Sequence, residues 1–273
     1  MSRDVDELVA EVQALAADGV LEVTLLGQNV NSYGRDLPGE RRVSFAQLLA
    51  QVDAVPGIRR IRYTSPHPKD MREDVIRAHA ELPALCEHIH LPLQSGSSAV
   101  LKRMRRTYTR ERYLERVALI REHVPDCAIT TDIIVGFPGE TEADFEATLS
   151  VAAEVGYDGA FTFLYSPRRG TEAAGLPGQI PHELKVERME RLVEVIQRRA
   201  AERAQRFVGR RLEVLVEGPS RTDPTRLRGR SRHNKVVNFE GVGEPGELLG
   251  VDITGATSQT LTGEMSLVAR ARA

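Results

Sequence analysis

AITTDIIVGFPGET, residues 128–141, predicts one complete strand–turn–helix unit. Its first eight residues are mostly β-branched and apolar, which is typical of a strand buried on both faces of a parallel sheet. Gly136 and the Pro138-Gly139 pair end the strand, and Thr141 with Asp144 has the spacing of a helix N-cap and its N3 partner. Ligands of parallel α/β folds bind at the carboxyl ends of strands, so this turn is either part of a binding site or only a tight connection.

The same alternation of strand and helix recurs along the first 207 residues. Five predicted strands begin at residues 22, 60, 88, 128 and 159, and helical segments separate them. This order predicts a parallel sheet of right-handed βα units, either a βα barrel or an open doubly wound sheet.

Helix signals lie before, between and after these strands. Capping boxes are predicted at Asp4 with Glu7 and at Ser44 with Gln47. A third helix is expected to start at Asp70 and run toward Leu82. Two longer helices are expected at about 109–123 and 181–207.

Polar residues follow each predicted strand at its carboxyl end. They are Gly27-Gln28-Asn29, Thr64-Ser65, Gln94-Ser95, Thr131-Asp132 and Tyr165-Ser166. A barrel would bring all five sets to one site. The alternative is that polar residues end strands for purely structural reasons.

The pattern changes after Gly209. Four short alternating segments broken by Gly and Pro, LEVLVEG, KVVNFEG, ELLGVDITGA and LTGEMSLVA, predict a small antiparallel β-barrel. Between the first two lies a loop or hairpin, residues 221–235, with six Lys/Arg and one Asp. Such a segment either binds a phosphate backbone or is an ordinary solvated charge run.

Composition limits the classes of protein. A chain of 273 residues with 41% hydrophobic residues can bury a core. Its net charge of −2 does not by itself indicate a nucleic-acid or membrane partner. Cys86 and Cys127 belong to no metal-binding spacing and are expected to be reduced core thiols, so no metal ligands are predicted. No apolar run suggests a signal or membrane segment, and a cytoplasmic location is expected.

Six stretches together resemble the methylthiotransferases of the radical S-adenosylmethionine (SAM) superfamily, and among them the MiaB-type tRNA enzymes. They are EVTLLGQNVNSYG, TSPHP, HIHLPLQSGS, RRTYTRERYLERV, TTDIIVGFPGET and FTFLYSPRRGT. The resemblance implies a partial βα barrel over 1–207 that lacks its first strand and cluster loop, followed by a TRAM-like RNA-binding domain over 208–273. The NVNSYG ending and the basic C-terminal loop favour the tRNA isopentenyladenosine branch.

The resemblance also implies cofactors and partners. Family members cleave S-adenosyl-L-methionine with a [4Fe-4S] cluster and insert a methylthio group into the base 3′ of the anticodon. Carried over by motif, the cofactor-binding residues are Gly27, Gln28, Gln94, Ser95, Thr131, Asp132 and Gly136, whereas catalytic residues remain unassigned. The RNA-binding residues are predicted to be Arg226, Arg228, Arg230, Arg232 and Lys235. The expected partners are the tRNA anticodon arm, an electron donor and a sulfur source, with the protein a monomer that binds no membrane.

The chain departs from the family in its cysteines. The family holds its cluster with a CxxxCxxC loop after the first barrel strand and has three further cysteines in an N-terminal domain, and this sequence contains neither set. Iron–sulfur clusters need thiolate ligands, so the chain by itself is expected to be inactive. A reading frame that starts late is the favoured explanation, and a remnant protein is the alternative.

Three other functions stay open from the sequence. They are a sister methylthiotransferase acting on a ribosomal protein or on threonylcarbamoyl-adenosine, a non-catalytic RNA-binding module, and an ordinary βα-barrel enzyme with a phosphate substrate. The last has no lysine or metal-ligand cluster at its strand ends to support it.

Overall fold

The computed structural model describes residues 1–39, 42–168 and 170–266. The chain divides into two compact units, 1–197 and 198–273. The division falls within a single helix, His182–Ala204. The domain boundary predicted at 207/208 stays a prediction.

The first unit contains five parallel strands in chain order. They are β1 (Glu22–Leu25), β2 (Arg60–Tyr63), β3 (His88–His90), β4 (Ala128–Val135) and β5 (Gly159–Leu164). β1 pairs with β2, and β3, β4 and β5 form a second sheet. A parallel bridge between Ile61 and Leu85 connects β2 to the segment just before β3. A doubly wound sheet would reverse its strand order at a switch point, so this sequential order supports the partial-barrel prediction.

The described residues contain seven α-helices, the last of which crosses the division between the units. They are α1 (Val5–Ala17), α2 (Phe45–Asp53), α3 (Glu73–Glu81), α4 (Ser98–Arg103), α5 (Arg110–His123), α6 (Glu142–Val155) and α7 (His182–Ala204). Short 3-10 turns cover Val30–Ser32, Pro68–Asp70, Glu172–Gly175 and Gln205–Phe207. Among the described residues, no helix has the length and apolar character of a membrane span.

Two predicted capping boxes are confirmed, at Ser44 with Gln47 and at Thr141 with Asp144. The box predicted at Asp4 is wrong, because Asp4 accepts from the backbone of Asp6 and not from its N3 residue. The helix predicted to start at Asp70 starts three residues later, and Asp70 ends a 3-10 turn instead. α4 was not predicted, since six residues are too short to show a helical period.

One apolar core joins the strands to the helices of the first unit. Its fully buried members include Leu49 of α2, Ile61 of β2, Ile76 of α3, Ile120 of α5 and Ile133 of β4. The alternate residues of β4 and β5 lie on the other face, which is only partly covered, whereas all four residues of β2 are buried. The helices therefore cover one face of the sheet and leave the inner face of a partial barrel available to ligands.

The second unit is a closed five-stranded barrel. Its strands are β6 (Arg211–Pro219), β7 (Leu227–Ser231), β8 (Val236–Glu240), β9 (Leu248–Ala256) and β10 (Thr260–Met265), in the order β10-β8-β7-β6-β9. Four pairings are antiparallel as expected, whereas the β8–β10 pairing that closes the barrel is parallel. β7 was missed because its LRGRS sequence places polar side chains and a glycine in the strand.

Candidate cofactor site and nucleic-acid interface

The loop after β1 carries Gly27 and Gln28, and both are exposed. Gly27 lies against the following turn, where a Cβ atom would stand 3.3 Å from the Cα of Val30. The backbone can therefore bend tightly at the strand end, and the Gln28 amide faces solvent beside it. These two residues are placed where a ligand could reach them.

The loop after β2 holds this first loop in place through Asp70. The Asp70 carboxylate is 1% exposed and accepts hydrogen bonds from Asn29 Nδ2 at 2.9 Å and Ser32 Oγ at 2.6 Å, with Arg35 as a third donor. Burial opposes ionisation of Asp70, but these three donors outweigh it and lower its pKa. Sequence reasoning missed this contact because its partners are 35 to 41 residues away along the chain.

Gln94 and Ser95 follow β3 and are both buried. The Gln94 N–H donates to Asp132 O at 2.8 Å, and Gln94 O accepts from Ile134 N at 2.9 Å. Gln94 has a positive φ of 65°, which turns the chain away from its pairing with β4. Ser95 Oγ lies 3.4 Å from Thr148 Oγ1 of α6 and is 2% exposed. The structure thus brings Gln94 next to Asp132, whereas Ser95 packs against a helix.

Thr131 and Asp132 lie on opposite faces of β4, as successive strand residues do. Thr131 is fully buried, and its Oγ1 accepts from Leu93 N at 2.8 Å. Asp132 lies on the inner face with a side chain that is 29% exposed, 3.4 Å from His90 Nε2. Of the two, Asp132 is the residue that a ligand on the inner face can contact.

The loop after β4 is held by a buried carboxylate and by one cation of α7. Glu140 Oε2 accepts from Gly136 N at 2.7 Å and Phe137 N at 3.2 Å, and Glu140 Oε1 lies 3.3 Å from Arg188 Nη1. Burial raises the pKa of Glu140, although these donors oppose it. Gly136 has φ 76°, and a Cβ there would stand 2.4 Å from Lys185 Cγ. Only glycine fits this position, because any side chain would be strained and would collide with Lys185.

The donor set at these strand ends suits an adenosyl amino acid. Gln28 supplies a neutral amide and Asp132 a carboxylate, whereas the backbone N–H groups of Gln94 and Gly136 are already bonded to Asp132 O and Glu140 Oε2. A zwitterionic ligand with a cationic sulfonium and ribose hydroxyls needs this mixture. The residues present therefore fit S-adenosylmethionine, and the seven individual assignments stay predictions.

An iron–sulfur cluster does not fit the described residues. Cys86 and Cys127 are buried, reduced thiols, as the sequence predicts. Across residues 1–39, 42–168 and 170–266, no three His, Cys, Asp or Glu side chains come together as a metal site. Three or four converging thiolates hold such a cluster, so its ligands are not supplied by these residues.

The predicted RNA-binding residues lie on and around β7. Glu217 of β6 pairs with two of them, Arg228 Nε at 3.2 Å and Arg230 Nε at 2.9 Å. Arg226 Nη2 lies 2.8 Å from Glu240 Oε1. Lys235 is 6% exposed, and its Nζ donates to Ser258 O at 3.2 Å. Arg232 also has an interaction within the protein. The carboxylates reduce the positive charge of this surface, and RNA contact by these residues stays a prediction.

Two protein-family models match the chain. Residues 1–152 match the radical SAM superfamily, and residues 205–266 match the TRAM domain. The two matches fall on the partial barrel and on the small closed barrel, respectively.

Curated relatives match almost the whole chain. The tRNA-2-methylthio-N(6)-dimethylallyladenosine synthase of Moorella thermoacetica is 52% identical over 265 residues, which is 97% of this chain and 59% of that protein. The enzyme of the same name from Clostridium botulinum is 52% identical over 264 residues, 96% of this chain and 58% of that protein. The chain therefore spans somewhat less than three fifths of the length of these relatives.

A solved structure supports the fold. Coproporphyrinogen III oxidase of Escherichia coli, a radical SAM enzyme, superposes with a TM-score of 0.51 at 16% identity, covering 72% of this chain and 46% of that one. At this identity the likeness concerns the fold alone.

Proposed function

Because this chain belongs to the radical SAM superfamily, we propose that it forms the barrel and the RNA-binding part of a tRNA methylthiotransferase. The substrate is N6-dimethylallyladenosine next to the anticodon, and the product carries a methylthio group at C2 of that base. One observation carries the proposal: the 52% identity to the synthases of that name runs through 97% of the chain and so includes both units.

The strand ends offer a place for the cofactor. Gln28 and Asp132 would hold S-adenosyl-L-methionine at the carboxyl ends of the strands, beside the turns at Gln94 and Gly136. When bound, this cofactor supplies the methyl group and the radical chemistry for which the superfamily is named. The chain's own residues bind and orient it, and its cluster ligands, electron donor and sulfur source come from elsewhere.

The basic surface of the second unit supports a nucleic-acid partner. We expect an R228Q/R230Q variant to bind an anticodon stem-loop RNA more weakly and to flatten the dependence of log Kd on log salt by about one unit per lost phosphate contact. Fluorescence anisotropy at several salt concentrations measures both quantities.

Glu217 provides a matched variant with the opposite expected result. It pairs with both arginines, so E217Q should remove the negative charge beside them and tighten RNA binding without flattening the salt dependence. If R228Q/R230Q kept the wild-type salt dependence, these two arginines would not be contacts to RNA phosphates.

Deletion of the encoding gene tests the reaction itself. Mass spectrometry of tRNA nucleosides should show loss of 2-methylthio-N6-dimethylallyladenosine and accumulation of N6-dimethylallyladenosine. Loss of the methylthio group from threonylcarbamoyl-adenosine, or from a ribosomal protein, would instead identify a sister methylthiotransferase.

A further inference from the structure

Two phenylalanines stand exposed on the inner face of β5. Phe161 is 64% exposed and Phe163 is 51% exposed, and they are two residues apart on the same strand. Side chains with this spacing lie on the same face of a sheet. Contiguous exposed apolar patches mark ligand or partner sites, whereas singly exposed apolar residues do not, so this pair, called here the phenylalanine wall, indicates a binding surface.

Polar groups border the phenylalanine wall. In the β4–β5 register, Phe161 is opposite Asp132, and Phe163 is opposite Ile134. The His90 ring meets Phe161 edge to face with centroids 6.3 Å apart, and His90 Nε2 lies 3.4 Å from Asp132 Oδ2. An apolar surface therefore continues directly into the carboxylate that the predicted cofactor site uses.

The size and composition of this surface favour a small group over a protein. Two rings beside one carboxylate and one imidazole match the pattern of ligand sites, which combine an apolar lining with a few polar groups. A stable protein interface covers about 800 Å² on each partner, far more than two side chains provide. The wall also borders the strand ends at which the cofactor is expected.

We propose that Phe161 and Phe163 bind the apolar N6 substituent of the target adenine, and thereby select a branched uncharged alkyl group. The inference rests on the proposed function and specifies its substrate. A dimethylallyl group is apolar and can pack on both rings. A threonylcarbamoyl group carries a carboxylate, which both the rings and the neighbouring Asp132 carboxylate disfavour.

The test compares three anticodon stem-loop RNAs that differ in one base: adenosine, N6-dimethylallyladenosine or N6-threonylcarbamoyladenosine. We expect the full chain to bind the dimethylallyl RNA about tenfold more tightly than the unmodified RNA, with no gain for the threonylcarbamoyl RNA. F161A and F163A should each lose most of that preference while binding the unmodified RNA as the wild type does.

Two variants control for effects on folding. Thr162 lies on the opposite face of β5, where its register partner is the buried Ile133, so T162A should retain the preference. F161L keeps much of the apolar volume and should restore part of the preference that F161A loses. Equal thermal midpoints for all four variants would show that binding, not folding, has changed.

Several outcomes would overturn the proposal. These are equal wild-type affinity for all three RNAs, an unchanged preference in both F161A and F163A, and a self-association that both variants abolish without any effect on nucleoside binding. Equilibrium dialysis with the free nucleosides separates the two proposals. Nucleoside selectivity without RNA binding would overturn only the RNA-binding function, and RNA binding without selectivity would overturn only the phenylalanine wall.

Discussion

At the scale of single residues, the buried Asp70 carboxylate fixes the loop that follows β1. In the folded protein the carboxylate accepts hydrogen bonds from Asn29, Ser32 and Arg35 in place of those it would accept from water in the unfolded chain. Removing a buried acceptor leaves its donors without partners, which costs more than the bonds contribute when intact. Because the same loop carries Gln28, Asp70 links stability to the predicted cofactor site.

We expect Asp70→Ala to lower the free energy of unfolding by about 3 kcal/mol. Urea denaturation measures the change. Asp74 is a matched control, since it is a partly exposed carboxylate paired with Arg72 at 3.4 Å, and D74A should change stability by less than about 0.5 kcal/mol.

The pH dependence of Asp70→Asn follows from the lowered pKa. A carboxyl whose pKa is lower in the folded state stabilises the protein above its unfolded pKa of about 4, and that contribution disappears as pH falls through the folded pKa. The stability difference between wild type and D70N should therefore shrink below about pH 4. A constant difference between pH 7 and pH 3 would contradict an ionised Asp70.

At the scale of elements, β7 depends on a close approach to β6. A Cβ at Gly229 would stand 2.4 Å from the backbone oxygen of Leu215. Backbone cannot move aside as the end of a flexible side chain can, so the two strands require glycine here. The position explains a glycine within a basic strand, and it makes the barrel sensitive to a single methyl group.

We expect Gly229→Ala to destabilise the small barrel by about 2 kcal/mol through overpacking. Gly250 of β9 is the control, because a Cβ there would meet the flexible Arg211 side chain at 3.4 Å. G250A should change stability by about 0.5 kcal/mol or less. Equal thermal midpoints for the two variants would show that the β6–β7 spacing does not exclude a side chain at residue 229.

The edge of β1 gives a second prediction at this scale. Among the described residues β1 pairs with β2 on one side only, and Leu26 at its end is 77% exposed. An open edge with an exposed apolar residue promotes pairing between chains. We expect this 273-residue chain to self-associate as its concentration rises, and L26K to reduce that association in light scattering. A wild-type chain that stays monomeric at high concentration would contradict this.

At the scale of the whole molecule, the two units have separate cores and different expected functions. The first core includes Ile61 and Ile133, and the second includes Val214 and Phe239. The first unit contains the strand ends that suit a small ligand, and the second contains the basic strand that suits a phosphate backbone. Neither set of described residues supplies the thiolates of a cluster.

We expect this 273-residue chain to acquire no four-iron cluster and to form no 5′-deoxyadenosine after anaerobic reconstitution with iron and sulfide. Iron and deoxyadenosine assays measure both. A C86S/C127S variant should retain the same background iron as the wild type, because both thiols are buried. Four irons per wild-type chain, lost in that variant, would refute the expectation.

The sequence by itself determined the order and kind of most elements. The alternation of strand and helix patterns predicted the five strands of the first unit, and capping residues such as Ser44 and Thr141 marked helix starts, because these signals are local. The same local patterns indicated a small barrel after Gly209 and polar residues at the strand ends. The motifs of the superfamily were likewise recognisable, because each is a short stretch of sequence.

Only the tertiary structure decided what those polar residues do. Asp70 looked like a helix start, but its partners 35 to 41 residues away make it a buried acceptor. Thr131 and Asp132 are neighbours in sequence, yet Thr131 is fully buried and Asp132 faces the inner side of the barrel. Glu217 pairs with Arg228 and Arg230 only because β6 and β7 are adjacent. Local periodicity specifies a strand or a helix, whereas the environment of a side chain depends on which distant segment packs against it.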